Sequence, residues 1–276
     1  MRHALTHAAL AVAVVFALYP ILWVVSLAFN AGDVPTTGVI PWPSEWSLEH
    51  VEAVVLQQND DGTYLFIRQL INSLVVALAT SVAAIAIATP AAYAMSRFRF
   101  VGQRATMGAL LATQMFPGVA AAIPLYLILD ALGLIDTRSG LILVYATSAV
   151  PFAIFQMRSA FDAIPVDLEE AAMVDGASRF GAFVRVVLPA ARPALAVTSL
   201  FAFMTAWNEF ILAATFLNRE VNFTLPVVLQ RFVGEYDAQW GNFAAGAILV
   251  SVPVMLLFYV LQRHLVGGLN AGGVKG

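Results

Sequence analysis

Six stretches of this chain run without a single Asp, Glu, Lys or Arg. They lie between Arg2 and Asp33, Arg68 and Arg97, Arg104 and Asp130, Arg138 and Arg158, Arg192 and Glu209 (apolar on to Arg219), and Asp237 and Arg263. A charge at the centre of a bilayer costs about 3 kcal/mol on insertion scales, so charge-free windows mark candidate spans. Each window can supply the roughly 20 apolar residues that carry a helix across about 30 Å of hydrocarbon. The pattern predicts an all-α integral membrane protein with six transmembrane helices, at about 8–29, 70–95, 105–129, 140–157, 193–217 and 241–261, in one domain over residues 1–276. The first apolar run is longer than the ~7–15 residues of a signal-peptide core and lacks a clean small-residue cleavage site, so it reads as a retained helix. Pro20, Pro90, Pro117, Pro124, Pro151 and Pro253 fall within windows. Membrane helices tolerate proline where neighbours re-satisfy the freed carbonyls. Alanine-rich stretches such as 82–94 and 243–248 suit close helix approach.

Charge changes the picture by giving a direction. With the N-terminus in the cytoplasm, one side of the membrane carries Arg2, Arg97, Arg99, Arg104, Arg158, Arg179, Arg185, Arg192, Arg263 and Lys275; the other carries only Arg68, Arg138, Arg219 and Arg231. The positive-inside bias therefore predicts that both termini are cytoplasmic. The first outer loop is acidic, with Asp33, Glu45, Glu49, Glu52, Asp60 and Asp61.

Composition narrows the chemistry. The chain is 61% hydrophobic and 11% charged, where soluble domains carry roughly 25% charged residues. A net charge of -3 offers no basic face for nucleic acid. Cysteine is absent, which removes thiolate chemistry and Cys-based metal sites. The only lysine is Lys275, so no phosphate-binding GxxxxGK[ST] loop exists. His3, His7, His50 and His264 form no HExxH pair or triad-like grouping. The sequence predicts neither an enzyme nor a cofactor or metal site in this chain.

The longest cytoplasmic segment, residues 159–191, is patterned rather than passive. Pro165 suits the approach to a helix, and Asp167 with Glu170 three residues on resembles a capping box. A helix of about two turns should end at Asp175, with Gly176 taking the left-handed conformation. A second helix from near Ser178 should carry Phe180, Phe183, Val184 and Val187 on one face until Pro189 interrupts it.

Within this segment, Glu170-Ala171-Ala172, three residues, Gly176, nine residues, Val186, one residue and Leu188-Pro189 match the EAA loop of ATP-binding-cassette (ABC) importer permeases. Valine stands for the usual isoleucine. The chain also resembles the MalG-like permeases of maltose/maltodextrin and related carbohydrate importers through Gln114-Met115-Phe116-Pro117, Ala206-Trp207-Asn208-Glu209-Phe210 and the tail over 268–276. The resemblance implies a type I, MetI-like permease architecture in the cell membrane. In that family a second, MalF-like permease completes the pore, a separate ATPase dimer uses the ATP, and an extracytoplasmic binding protein delivers sugar. It implies that Glu170, Ala171, Ala172, Asp175, Gly176, Ala177, Phe180, Leu188 and Pro189 couple the pore to the ATPase, with Glu170 available to pair with an arginine there. It further implies that Gly272, Gly273, Val274, Lys275 and Gly276 dock on the ATPase dimer. The outer loop over 218–240, with Phe223, Gln230, Tyr236, Gln239 and Trp240, is expected to reach the binding protein. Maltose or maltodextrin is the expected cargo, with trehalose and other oligosaccharides close behind.

Asn208 and Glu209 are candidates for the translocation path, because an acidic residue within a span faces a cavity or a polar partner. A structural role for Glu209, bonded to Asn208 or to backbone, is the competing expectation. An ion-coupled secondary transporter would need several midplane charges and an internal repeat, and only Glu209 is available.

Overall fold

The computed structural model describes residues 2–32, 38–115, 118–234 and 238–272, with residues 2, 4 and 263–272 described by backbone alone. The described chain is helical: α1 (Arg2–Phe29), α2 (Glu49–Val55), α3 (Leu65–Arg97), α4 (Gln103–Met115), α5 (Ala122–Ala131), α6 (Arg138–Asp162), α7 (Asp167–Val174), α8 (Arg179–Ala182), α9 (Leu188–Ala190), α10 (Arg192–Trp207), α11 (Ile211–Phe216), α12 (Leu225–Arg231) and α13 (Trp240–Gly272). Pro20, Pro90, Pro151 and Pro253 sit inside α1, α3, α6 and α13.

Among the described residues four helices are long and apolar enough to cross a membrane, and six if each of two bent pairs counts as one span. The third window divides into α4 and α5, linked through a short 3-10 turn at Gly118–Ala121, with Phe116 and Pro117 outside the described residues. The expected helix at 193–217 is interrupted at 208–210, between α10 and α11. The sixth window lies within a longer helix whose backbone runs on to Gly272.

Contacts gather the chain into two units, residues 1–71 with 223–256 and residues 72–222 with 257–276. Their boundaries fall within helices as well as loops, so no linker marks the division in the sequence.

In the first unit the apolar length of α1 is bare, with none of its most apolar window buried. Its end is tied down by polar bonds. The Asn30 side chain accepts from the Ser44 amide at 2.9 Å, and the Phe29 carbonyl accepts from the Ser47 amide at 2.9 Å. Trp46 lies against Phe29 and edge-on to Trp42. From α2, buried His50 shares a 2.9 Å hydrogen bond with Asn242 at the start of α13.

In the second unit α3, α6 and α10 approach on small residues, with Ala84, Ala149 and Ala202 in mutual contact. Lipid supplies no hydrophobic drive for helix association, so short side chains that admit close packing and interhelical hydrogen bonds take its place. Ser81 Oγ donates to the Ser199 carbonyl at 2.7 Å, joining α3 to α10. A larger apolar cluster joins Ala88, Ala92, Tyr93 and Met95 of α3 to Ala153, Ile154, Met157 and Phe161 of α6, and to Phe183, Val187 and Ala191. Through Phe183, Val187 and Leu188 the segment that follows α8 rests on this cluster.

Candidate functional site

The segment between α6 and α10 folds as a helix, a glycine turn and a second helix. Its first helix starts differently from the sequence expectation. Val166, in helical conformation and without a side-chain cap, precedes Asp167, and its carbonyl accepts from the amides of Glu169 (2.9 Å) and Glu170 (3.1 Å). Asp167 is therefore the first helical residue, and the Asp167/Glu170 capping box does not form. Pro165 is the reason: the first turn already closes on its carbonyl, through the Leu168 amide at 3.4 Å. Asp167, Glu169 and Glu170 all lie in the first turn, where carboxylates favour the positive end of the helix dipole.

The end of α7 is as expected. Gly176 has φ +91°, its amide donates to the Met173 carbonyl at 3.1 Å, and the Ala177 amide donates to the Ala172 carbonyl at 3.0 Å. These are the paired bonds of a Schellman cap, which needs a left-handed residue at this position. Ser178 then caps α8, its Oγ accepting from the Gly181 amide at 3.1 Å.

Pro189 does not interrupt the second helix. The chain widens into a π turn over Phe183–Val187 and continues through α9, and the break falls at Ala191, where the axis bends by 75° into α10. In regular α-helical register a proline ring strikes the carbonyl four residues back. A π turn immediately ahead of Pro189 shifts that carbonyl out of register. The same widening splits the expected apolar face: Phe183 and Val187 are buried, whereas Phe180 is 74% and Val184 42% exposed.

The residues singled out from the sequence divide by side. Glu170, Ala171, Asp175, Gly176 and Phe180 are exposed, while Ala172, Ala177, Leu188 and Pro189 are half-buried. Val174 adds a bare apolar side chain, 87% exposed, to the outward face.

Sequence reasoning missed Glu169. It is the one buried residue of α7, and its carboxylate accepts from Arg97 Nε at 2.5 Å and from Tyr93 Oη at 2.7 Å. Arg97 Nη2 donates to the Ile164 carbonyl and Nη1 to Ser96 Oγ, each at 2.9 Å, and Ser96 Oγ donates to Asp162 at the end of α6. The available signal was Tyr93 and Arg97 four residues apart on the last turns of α3, facing a loop with two adjacent glutamates.

At the break between α10 and α11, Glu209 Oε1 accepts from the Leu212 amide (2.8 Å), and Oε2 accepts from the Ala213 amide (3.0 Å) and from Tyr145 Oη (2.5 Å). The carboxylate thus satisfies orphan amides in the first turn of α11 and fastens it to α6. Asn208 beside it is exposed.

Between α5 and α6, Asp136 has φ 58°, and its carboxylate accepts from the amides of Asn218 (2.9 Å) and Arg219 (3.2 Å) and from Arg219 Nε (2.5 Å). Burial pushes this carboxyl up, but the Asn218 amide, Arg219 and Asn222 outweigh it and hold it below its ordinary value.

Further along the outer loop, Arg231 lies over the Phe223 ring at 5.4 Å, Gln239 accepts from Asn242, and Gln230 and Trp240 are exposed. Tyr236 lies outside the described residues, as do Gly273, Val274, Lys275 and Gly276; Gly272 is the last residue of α13. Among the described residues no three His, Asp or Glu side chains gather into a metal-binding group.

The family model described as "Binding-protein-dependent transport system inner membrane component" matches residues 81–270. The chain is 37% identical to the trehalose transport system permease protein SugB of Mycobacterium tuberculosis, over 95% of this chain and 93% of that one. It is 36% identical to the maltose/maltodextrin transport system permease protein MalG of Vibrio vulnificus, over 98% and 95% of the two chains. Among solved structures, a chain of a bacterial ABC transporter involved in the import of the acidic polysaccharide alginate superposes with a TM-score of 0.77 at 26% identity, covering 95% of each chain. The helical fold, the EAA loop and these similarities together make the chain a member of the binding-protein-dependent transport system inner membrane components, a multi-pass cell-membrane ABC permease subunit and not an enzyme.

Proposed function

We propose that this chain forms one half of the pore of an ABC importer that carries a sugar into the cell, and that the outward face of α7 is the seat of a separate ATPase. The observation that carries the reading is the division of α7: Glu169 alone is buried, while Glu170, Ala171 and Val174 stand free on a short helix already closed at its C-terminus. Ala171 leaves room for a close partner, and Glu170 offers it a carboxylate. Sugars are the cargo class because relatives are named as trehalose, maltose/maltodextrin and galactooligosaccharide permeases. Maltose or maltodextrin is the first candidate and trehalose the second.

The partners follow from the same reading. A MalF-like permease supplies the other half of the pore, an ATPase dimer binds and hydrolyses ATP, and an extracytoplasmic binding protein brings the sugar. The termini lie in the cytoplasm, where residues 272–276 meet the ATPase dimer. An ion-coupled carrier would rest on Glu209, whose carboxylate already accepts three hydrogen bonds from within the chain.

Purification of the chain with its partner subunits, followed by uptake of radiolabelled maltose and trehalose into proteoliposomes, tests this. Uptake should require ATP and the binding protein and survive collapse of ion gradients. Uptake abolished by the collapse with ATP still present would refute the reading.

A further inference from the structure

We propose that the buried Arg97 and Glu169 pair, with Tyr93, is the joint that carries movement of α7 into α3 and α6, so that these three are positioning residues for coupling ATP hydrolysis to transport. The proposal rests on the reading of α7 as the ATPase seat. A helix of eight residues does not hold itself in place, since isolated helices shorter than about 12 residues are marginal in water. Its only buried side chain is a carboxylate, 4% exposed as a residue. Where α7 stands is therefore set in large part by what Glu169 holds.

Both side-chain partners of Glu169 come from the last turns of α3, Tyr93 at 2.7 Å and Arg97 at 2.5 Å. The same guanidinium grips the other side of the loop, through the Ile164 carbonyl and, by way of Ser96, through Asp162 of α6. One side chain thus gathers α3, α6 and α7. The Tyr93 ring meets Phe183 at 4.4 Å and Phe161 at 6.0 Å, so displacement of the joint also loads the π turn and α6.

Stability alone does not account for the pair. Burying two charges costs desolvation that their attraction only partly returns, and apolar replacements of similar volume are often neutral or stabilising. What apolar packing lacks is direction: the fork of Arg97 fixes angles as well as distances. A device that passes a push from a short helix to two long ones needs that geometry.

The test uses the full transporter in proteoliposomes, reading solute moved per ATP hydrolysed. Wild-type protein must first show ATP-dependent uptake; its failure there would count against the proposed function and not against the joint. The variant Arg97→Met/Glu169→Met removes both charges without leaving one buried alone. It should reach the membrane, co-purify with the ATPase and hydrolyse ATP, yet move about tenfold less solute per ATP. Tyr93→Phe, which deletes one charge-assisted hydrogen bond, should lower the ratio by about threefold. A wild-type ratio in the double variant overturns the proposal, as does a fall in uptake and hydrolysis in equal proportion. Should the double variant fail to reach the membrane, Tyr93→Phe decides alone: an unchanged ratio overturns the joint.

Discussion

Tyr145 donates to Glu209 across 64 positions of sequence at 2.5 Å, bringing a hydroxyl of α6 onto the carboxylate that opens α11. Three donors depend on that carboxylate, and Tyr145 is itself buried. Glu209→Ala strands them in apolar surroundings and should destabilise the protein by about 2–3 kcal/mol, with Glu209→Gln costing less because one acceptor oxygen remains. Thermal melts of the detergent-solubilised transporter would order the variants. If Glu209→Ala melts with wild type but loses uptake, the residue belongs to the solute path rather than to the scaffold.

The turn after α7 should separate coupling from insertion. Gly176 is left-handed with open space around it, so Gly176→Ala carries only backbone strain, about 1–2 kcal/mol. Gly176→Pro cannot adopt that φ and also loses the amide that bonds Met173. Glu170→Lys reverses a charge on an exposed surface, where substitutions stay within about 0.5 kcal/mol of wild type. Both Gly176→Pro and Glu170→Lys should insert at wild-type levels and transport nothing. Immunoblots of membranes beside uptake rates would check this, and wild-type uptake in either variant would refute the assignment of the loop.

What the sequence made legible follows from the range of each force. Charge-free windows report the bilayer directly, because every charge within them would face hydrocarbon; hence the helical class and the approximate windows were readable. Gly176 was readable because a left-handed cap is a local event. The interruption at 208–210 was not, since the Glu209 carboxylate that satisfies the amides after it is held in place by Tyr145, far away in sequence. Pro189 misled for the converse reason: its usual effect presumes regular register, and the π turn that removes the clash is set by packing of Phe183 and Val187 into a core shared with α3 and α6. Glu169 and Glu170 are neighbours of one type, so only tertiary structure tells the buried carboxylate from the free one.

Asp136 should make its corner sensitive to acid. Its carboxyl is held below the ordinary value, so its contribution is fully present above the unfolded-state pKa of about 3.9 and is lost as pH falls through the lower folded value. Protection of the Asn218 and Arg219 amides, taken relative to the intrinsic exchange rate at each pH, should fall over that acid range. Asn tolerates the left-handed conformation that Asp136 adopts, so Asp136→Asn isolates the charge. It should show the lower protection already at pH 7 and flatten the pH dependence of that protection. Amides that are unprotected in wild type at neutral pH, or protection unaltered by the substitution, would contradict the assignment.

Two glycines of α13 should respond unequally to the same added methyl. A Cβ on Gly241 would overlap the Nε2, Cε1 and Cδ2 atoms of the His50 ring, and that ring is buried and bonded to Asn242 at 2.9 Å. It cannot turn aside without giving up that bond. A Cβ on Gly246 meets Leu229 Cδ2 at 2.6 Å, the far end of a side chain with other rotamers open to it. Overpacking typically costs about 1–3 kcal/mol, and Gly241→Ala should lie at the upper end or beyond, with Gly246→Ala near the lower. Replacing the ring as well, in His50→Ala/Gly241→Ala, should recover part of the loss by making room for the methyl. Melting temperatures of the three variants would test the ordering, and a Gly246→Ala penalty equal to or above that of Gly241→Ala would show that the His50 ring yields more easily than its burial implies.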